Sequence, residues 1–198
     1  MVGKVAAGVV SKTALRKQVV AARDAIPTAT RRELSERITT RILGLETYRS
    51  ARCVLAYMSF GSEFDTSDFI ADALAHGKTL CLPRVVPDQR RLDVHTVENL
   101  ECHLQSGVWG IREPRADRPL VDLGQVDFVL LPGVAFTRRC ERLGYGGGFY
   151  DRLIPRFARR PRLVAAAFDL QIRDQIPLEA TDQCIDVVIY ERGLYLKC

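Results

Sequence analysis

The chain opens with two segments in which apolar residues recur every three or four positions, the spacing of an amphipathic helix. The first segment follows Ser11, a residue type that caps helix N-termini, and its apolar stripe consists of Leu15, Val19, Ala22 and Ile26. A separate stripe on the same helix is cationic and consists of Lys12, Arg16 and Arg23. The second segment has Thr30 and Glu33 at capping-box spacing and ends near Gly44. Two amphipathic helices are therefore predicted at the start of the chain.

From residue 54 onward, short apolar runs alternate with helical stretches, a rhythm typical of strand–helix–strand units. Strands are predicted at 54–58, 79–82, 92–97, 127–131, 163–168 and 185–190. Helices are predicted at 68–76 and from Asp151 to Phe157, the second preceded by a long loop at 132–147. This pattern indicates an α/β domain with a mostly parallel or mixed sheet. No internal repeat divides it, so residues 1–198 are interpreted as a single domain.

Composition restricts the class of protein. The 198 residues are 47% hydrophobic and 27% charged, as in soluble globular domains, and no apolar run approaches the length of a membrane span. The six cysteines never form a CxxC pair and the three histidines lack zinc-ligand spacing, so free thiols and no zinc site are expected. The N-terminal segment has no acidic residue before Asp24, as in transit peptides, but it contains the first predicted helix. A cytoplasmic location is expected.

The charge distribution marks two candidate anion-binding segments. Lys and Arg number 29 against 24 Asp and Glu, a net charge of +5. The excess is concentrated in segments 11–49 and 138–162. Either segment can face an anion or be a solvated helix face, so charge alone leaves both interpretations open.

A glycine-rich segment follows the buried strand at 127–131 and precedes the last predicted helix; its glycines are Gly144, Gly146, Gly147 and Gly148. The N–H groups of this glycine loop, residues 142–148, can converge on one anion, for which phosphate is the natural choice. Phe149 and Tyr150 stand where a Walker loop needs Lys and Ser or Thr, and the GxGxxG spacing is absent. Asp151 beside a phosphate would indicate magnesium. A tight turn without a ligand, followed by a first-turn helix acid, is the alternative.

Five motifs occur in a specific order along nearly the whole chain. They are Lys12–Arg16 (KTALR), Glu63, Gly110–Pro114 (GIREP), Leu131–Phe136 (LPGVAF) and Arg142–Asp151 (RLGYGGGFYD). This combination closely resembles the 5-formyltetrahydrofolate cyclo-ligase family, also called 5,10-methenyltetrahydrofolate synthetase. The resemblance implies a three-layer α/β/α sandwich with a mixed, mostly parallel, Rossmann-like sheet.

The resemblance also implies a reaction. Members convert 5-formyltetrahydrofolate to 5,10-methenyltetrahydrofolate with ATP and Mg²⁺, and they release ADP and phosphate. The formyl oxygen takes the γ-phosphoryl group, N10 attacks the activated carbon, and phosphate departs. Such chemistry asks a protein for positioning and charge neutralisation rather than for a covalent nucleophile. The implied partners are 5-formyltetrahydrofolate and ATP, without nucleic acid or membrane, and the implied state is a monomer.

Site residues follow from the matched positions. The implied ATP-binding residues are Lys12, Arg16, Arg142, Leu143, Gly144, Tyr145, Gly146, Gly147, Gly148 and Tyr150. The implied folate-binding residues are Met58, Phe60, Glu63, Trp109 and Tyr150, with Glu63 recognising the N–H edge of the pterin ring. The implied magnesium-associated carboxylates are Asp151 and Asp182. Taken alone, Asp182 can equally be a surface acid, and the aromatic residues can equally belong to the core.

The chain departs from the family pattern at a few positions. Many members carry Asp and Gly in the stretch that is here Thr137–Glu141, a histidine in place of Thr181, and a threonine in place of Tyr190. The departure at Thr137–Glu141 leaves the flexibility of the loop and the kinetics with nucleotide open, whereas neither of the other two changes removes a group that the mechanism requires. Gln171 resembles a recurrent family glutamine to which the sequence assigns no role.

Two other functions compete with the cyclo-ligase interpretation. A small-molecule kinase would use the same phosphate loop but would release a phosphorylated product. A basic nucleic-acid-binding protein would use the arginine clusters, yet the chain lacks the RNP and KH patterns and its basic segments are far apart in sequence.

Overall fold

A computed structural model describes residues 10–197 of the chain. The helices are α1 (Lys12–Asp24), α2 (Thr28–Leu43), α3 (Glu46–Arg49), α4 (Ser67–Ala75) and α5 (Phe149–Leu153). The first six strands are β1 (Cys53–Leu55), β2 (Thr79–Val86), β3 (Arg91–Thr96), β4 (Leu104–Ser106), β5 (Arg112–Pro114) and β6 (Phe128–Leu131). The remaining strands are β7 (Ala135–Thr137), β8 (Arg142–Leu143), β9 (Arg162–Ala166), β10 (Ile172–Arg173), β11 (Val187–Tyr190) and β12 (Gly193–Leu196).

The main sheet has seven strands in the order β12-β11-β9-β6-β1-β2-β3. The five inner strands are parallel to one another, and the edge strands β3 and β12 run antiparallel to their neighbours. Alternate strand residues face opposite layers. Val54 packs in a cluster with α2 and α4, whereas Leu55 packs in a second cluster with Leu153 of α5. The predicted α/β/α layering around a mixed, mostly parallel sheet is confirmed.

The segment predicted as a long loop at 132–147 contains regular structure. Strands β7 and β8 pair within it, and β10 adds to β7 to complete a three-stranded sheet. Helix α1 covers this small sheet, since Leu15 and Val19 pack against Val134, Ala135 and Leu143. The prediction of an irregular loop was wrong here because strands of two or three residues show no hydrophobic periodicity.

Gln171 connects the small sheet to the main one. Its buried side-chain amide Nε2 donates to the carbonyls of Gly133 (3.2 Å) and Val134 (3.0 Å), and its Oε1 accepts from the backbone N–H of Phe168 (2.9 Å). Each of these bonds satisfies a backbone group that burial separates from water. The glutamine without an assigned role therefore has a structural one.

Helix α1 begins as predicted, because the Ser11 hydroxyl accepts from the N–H of Ala14 at 3.2 Å. Its predicted apolar stripe is only half right. Ala22 is exposed, and Ile26 lies beyond the last helical residue. Arg23, predicted on a cationic stripe, is instead buried at 3% exposure. The buried face of α1 therefore includes Arg23 and lies toward a polar partner that the residue spacing does not reveal.

Other boundaries shift where tertiary contacts extend or shorten an element. Helix α2 starts at Thr28 after Pro27 with no side-chain cap, so the predicted Thr30–Glu33 capping box is wrong, while its end at Gly44 is confirmed. The strand predicted at 54–58 ends at Leu55, the strand predicted at 79–82 continues to Val86, and the helix predicted to Phe157 becomes a 3₁₀ turn after Leu153. The hairpin β4–β5 and the edge strand β12 were not predicted.

Two expectations from composition can be compared with the structure. Among residues 10–197, no helix combines the length and the apolar character that crossing a membrane requires. Cys53, Cys81, Cys102 and Cys184 are free thiols, as expected. Cys198 lies outside the described residues.

Candidate active site

A cleft of about 1460 Å³ opens at the carboxyl ends of β1 and β6, where Tyr57 follows the first strand and Pro132 follows the second. Ligands of parallel α/β sheets bind at this edge. Every residue that the sequence placed in the site lines this cleft: Lys12, Arg16, Met58, Phe60, Glu63, Trp109, Arg142, Leu143, Gly144, Tyr145, Gly146, Gly147, Gly148, Tyr150, Asp151 and Asp182. The fold therefore brings together residues from opposite ends of the chain, while their individual roles stay predictions.

The glycine loop forms one end of the cleft, called here the glycine-loop end together with Lys12, Arg16, Asp151 and Asp182. Gly146 (φ 104°) and Gly148 (φ 64°) adopt left-handed conformations, which other residues rarely take. The Arg16 side-chain Nε donates to the Gly144 carbonyl at 2.8 Å. A Cβ on Gly146 would lie 3.3 Å from the Arg16 guanidinium carbon. Glycine is thus required here both for backbone conformation and for the close approach of an arginine.

Each predicted magnesium-associated carboxylate is paired with a predicted phosphate-binding cation. Lys12 Nζ lies 2.7 Å from Asp182 Oδ2 and 3.2 Å from Glu179 Oε1. Arg142 Nη2 lies 2.7 Å from Asp151 Oδ1, and its Nη1 donates to the Pro132 carbonyl at 3.2 Å. Partial burial opposes the charge of Lys12, but its bonds to Asp182 and Glu179 outweigh that effect and raise the pKa of Lys12. The positive charges of Lys12 and Arg142 are thus neutralised by neighbouring carboxylates.

In a second part of the cleft, called here the Glu63 end, a carboxylate is buried at 5% exposure. Glu63 Oε1 accepts from the Tyr145 hydroxyl at 2.5 Å, and Oε2 accepts from the Phe60 N–H at 3.1 Å. Burial raises the pKa of Glu63, although the bonds from Tyr145 and Phe60 and the charge of Arg23 partly offset the rise. A buried acceptor with two oxygens at the cleft wall suits a ligand that offers paired N–H donors.

Aromatic side chains also line the cleft. The rings of Phe60 and Tyr145 are 5.4 Å apart, and those of Trp109 and Phe149 are 6.0 Å apart and nearly perpendicular. Trp109 is 70% exposed and has a left-handed backbone (φ 60°), so its indole projects at the mouth of the cleft. Burial raises the pKa of Tyr150, with a further rise from the charge of Glu63, so its hydroxyl stays protonated near neutral pH. Flat apolar surfaces of this kind suit a bicyclic ring ligand.

Sequence reasoning missed several residues that shape the site. Glu113, 6% exposed, accepts from the Val85 N–H at 3.4 Å, and burial raises the pKa of Glu113. Arg152 donates to the carbonyls of Gly147 and Arg90, each at 2.7 Å, and so braces the glycine loop. Glu113 lies in the Gly110–Pro114 motif and Arg152 directly follows the Arg142–Asp151 motif. These motifs were the sequence signal that could have pointed to them. Their bonds to backbone atoms could not be foreseen.

The described residues contain no cluster of three or more His, Cys, Asp or Glu side chains that could hold a metal ion. Asp151 Oδ1 accepts from the Gln183 N–H at 3.1 Å in addition to its bond from Arg142. Magnesium usually keeps several waters and uses only one or two carboxylates together with substrate phosphates. Asp151 and Asp182, which both line the cleft, fit such a site.

Comparison with known proteins identifies the family. The sequence model of the 5-formyltetrahydrofolate cyclo-ligase family matches residues 9–191. The chain belongs to this family. The resemblance inferred from the motifs is therefore confirmed.

Cyclo-ligases from distant organisms are similar to this chain over most of its length. The 5-formyltetrahydrofolate cyclo-ligase of Mycolicibacterium smegmatis is 30% identical over 188 residues, which cover 93% of this chain and 96% of that protein. The mouse 5-formyltetrahydrofolate cyclo-ligase is 27% identical over 190 residues, covering 91% and 94%. The 5,10-methenyltetrahydrofolate synthetase of Aquifex aeolicus, solved by NMR, superposes with a TM-score of 0.83 at 31% identity and covers 94% of this chain and 92% of its own.

5-Formyltetrahydrofolate cyclo-ligase and 5,10-methenyltetrahydrofolate synthetase are two names for the same enzyme. This chain is accordingly an enzyme of the cyclo-ligase family, and the family places it among the ligases of folate metabolism. The predictions of family, fold class and enzyme class are confirmed.

Proposed function

We propose that this chain converts 5-formyltetrahydrofolate to 5,10-methenyltetrahydrofolate with ATP and Mg²⁺ and releases ADP and phosphate. The observation that carries this proposal is that the predicted nucleotide residues and the predicted folate residues line one cleft. Its volume of about 1460 Å³ is enough for two ligands side by side. The reaction requires that arrangement, because a phosphoryl group must pass from one substrate to the other.

The glycine-loop end would bind the ATP phosphates. Its N–H groups, with Lys12 and Arg16, supply donors and positive charge where the γ-phosphoryl group is transferred. Lys12 keeps 17% of its side chain exposed and can exchange the Asp182 carboxylate for a phosphate oxygen. Arg142, only 3% exposed, is a predicted phosphate ligand whose present bonds also hold Asp151 in place.

Asp151 and Asp182 are the residues that would hold magnesium. Both hydrogen bonds of Asp151 end on Oδ1, so Oδ2 is left for a metal ion or for its water shell. Magnesium, when bound, would neutralise the charge of the phosphate oxygens. Asp182 lies next to Lys12, so acid and cation meet the nucleotide at the same place.

The Glu63 end would bind the pterin ring and present its formyl group. The formyl oxygen attacks the γ-phosphorus and ADP leaves; N10 then attacks the formyl carbon, loses its proton, and phosphate departs with the former formyl oxygen. Glu63 would accept from the ring N–H groups, while Met58, Phe60, Trp109 and Tyr150 would exclude water from the activated carbon. Holding both reacting groups together supplies much of the rate.

The test is to mix purified protein with 5-formyltetrahydrofolate, ATP and Mg²⁺ and to follow the absorbance of the methenyl product while ADP and phosphate are quantified. We expect all three products in equal amounts. ATP hydrolysis without the chromophore, or a stable phosphorylated product, would contradict the proposal and favour a kinase. The single-domain organisation, monomeric state, cytoplasmic location, and lack of nucleic-acid and membrane partners stay predictions.

A further inference from the structure

Helix α1 reaches both ends of the cleft. Lys12 and Arg16, near its start, contact Asp182 and the glycine loop. Arg23, nearly two turns further along, is buried at 3% exposure and points to the Glu63 end. One rigid element thus carries side chains toward both predicted substrates.

Arg23 is held by a continuous set of hydrogen bonds. Its Nε donates to the Ser62 hydroxyl at 3.0 Å and its Nη2 donates to the Tyr145 hydroxyl oxygen at 2.9 Å. The Tyr145 hydroxyl donates in turn to Glu63 at 2.5 Å, and the Ser62 hydroxyl donates to Asp24. The network joins α1, the loop after β1 and the glycine loop. The Arg23 guanidinium, the two hydroxyls and the two carboxylates each have at least one hydrogen-bond partner, and such bonded networks rigidify a buried site.

Tyr145 belongs by sequence to the glycine loop, but its side chain bonds to Glu63 and Arg23 at the other end of the cleft. The loop backbone on either side is fixed independently, since Arg16 binds the Gly144 carbonyl and Arg152 binds the Gly147 carbonyl. The tyrosine hydroxyl is therefore not needed to hold the loop. What it adds is a direct bond between the loop and the carboxylate of the Glu63 end.

We propose that Tyr145 is a positioning residue that couples the two substrates: a nucleotide bound to the glycine loop holds the Tyr145 hydroxyl on Glu63 and so keeps Glu63 in the orientation that binds folate, and the reverse. This inference rests on the proposed function. Coupling of two ligands through one element is reciprocal, so each ligand raises the affinity of the other by the same factor. Typical factors are about 5-fold to 150-fold.

The experiment measures binding by calorimetry in the wild type and in Tyr145→Phe. The affinity for 5-formyltetrahydrofolate is determined with and without a non-hydrolysable ATP analogue and Mg²⁺, and the affinity for the analogue is determined with and without the folate. In the wild type we expect each ligand to tighten the other about tenfold. In Tyr145→Phe the factor should fall to within about twofold of no coupling, and the analogue alone should still bind through the backbone N–H groups that this substitution keeps.

A second readout separates positioning from structural support. The Tyr145 hydroxyl donates to Glu63 and so lowers the pKa of that carboxyl, while Arg23 lowers it as well; Tyr57 and Tyr150 also face Glu63. Removing the hydroxyl should raise the pKa of Glu63. The acid limb of folate affinity should then move to higher pH in Tyr145→Phe, which a loss of loop stability alone would not produce.

Two further variants act as control and as second probe. Tyr195→Phe removes a hydroxyl that contacts Tyr190 at 3.4 Å on the edge strand β12, outside the cleft, and should leave the coupling factor unchanged. Ser62→Ala removes the Nε partner of Arg23 and should reduce the coupling factor in part. Melting curves of each variant establish that it is folded.

The outcomes are distinct. An unchanged coupling factor in Tyr145→Phe, or an equal loss in Tyr195→Phe, would overturn the inference. A wild type that binds both ligands with no mutual effect would overturn it while leaving the proposed function intact. A wild type that binds neither ligand would contradict the proposed function, and the coupling with it.

Discussion

The two ends of the cleft are built differently. The glycine-loop end consists of backbone N–H groups, left-handed glycines and ion pairs, and its residues come from the glycine loop with Asp151, from α1 and from the segment around Asp182. The Glu63 end consists of a buried carboxylate whose hydrogen-bond partners come from the glycine loop and from the loop after β1. Both ends depend on the fold, since Lys12 and Asp182 are 170 residues apart and Tyr145 and Glu63 are 82 residues apart. The difference lies in the pairing: carboxylates meet cations at the glycine-loop end, whereas the Glu63 carboxylate is held by neutral donors.

The charge at the two ends also differs in what it costs. Carboxylates at the glycine-loop end face cations, which lower the cost of burying charge. Within residues 10–197, Glu63 makes no direct ion pair; its hydrogen bonds come from a tyrosine and a backbone N–H, and burial raises its pKa although these bonds and the charge of Arg23 partly offset the rise. Substitutions at the first end should therefore act on nucleotide binding and turnover, and substitutions at the second on folate binding and on pH dependence.

The largest effect should come from Asp151→Asn at the glycine-loop end. The amide keeps the shape of the side chain but removes the charge that faces Arg142 and the predicted magnesium, so turnover should fall about 10²-fold or more. Steady-state turnover measures the loss of catalysis, and thermal melting measures any loss of stability from the altered contact with Arg142. Asp117→Asn, which alters an exposed acid beside Arg115, is the control and should change neither. Near-normal turnover of Asp151→Asn would remove this residue from the metal site.

Glu63→Gln should separate the two ends. Losing a charged acceptor in a buried site costs about 1.5–3 kcal/mol, so the affinity for 5-formyltetrahydrofolate should drop about 10-fold to 100-fold. The affinity for an ATP analogue measured alone should stay within about threefold of the wild type, because Glu63 is not at the glycine-loop end. Calorimetric titration of each ligand checks this. The opposite pattern would assign Glu63 to the nucleotide.

Lys12→Ala is the converse change. It removes one cation from the predicted phosphate site and leaves Asp182 without its ion-pair partner, so the KM for ATP should rise about tenfold. The affinity for folate measured without nucleotide should change by less than about twofold. Kinetics at varied ATP and a folate titration test both parts. Lys17→Ala, on an exposed position of the same helix, provides the matched control. A larger effect on folate than on ATP would reverse the assignment of the ends.

The smallest expected effect is a pH dependence of stability. Because burial raises the folded-state pKa of Glu63 above its unfolded value, the folded protein binds this proton more tightly than the unfolded chain. The resulting contribution to stability is present below the unfolded pKa and is lost as pH rises through the folded pKa. Glu63→Gln should flatten this part of the curve of unfolding free energy against pH. An identical slope in wild type and Glu63→Gln would contradict the raised pKa.

Much of the architecture could be predicted because its causes are local. Buried strands such as 127–131 are continuous apolar runs, and the Ser11 cap and the Gly44 stop act within one helical turn. The short strands β7, β8 and β10 could not be predicted, because two or three residues carry no period and are held by pairing with one another and by the cover of α1. The capping box at Thr30 was predicted wrongly, because residue spacing alone did not indicate where α2 begins.

The candidate site shows the same division. From sequence alone came the order of motifs that marks the family, the glycine loop with its following Asp151, and the membership of every predicted residue that now lines the cleft. Tertiary structure alone decided which groups are partners: Arg142 with Asp151, Lys12 with Asp182, and Tyr145 with Glu63 and Arg23. The physical reason is the distance along the chain over which each property is determined. Backbone conformation and hydrophobic period are properties of neighbouring residues, whereas burial and pairing of a charge depend on segments that meet only after the sheet has formed.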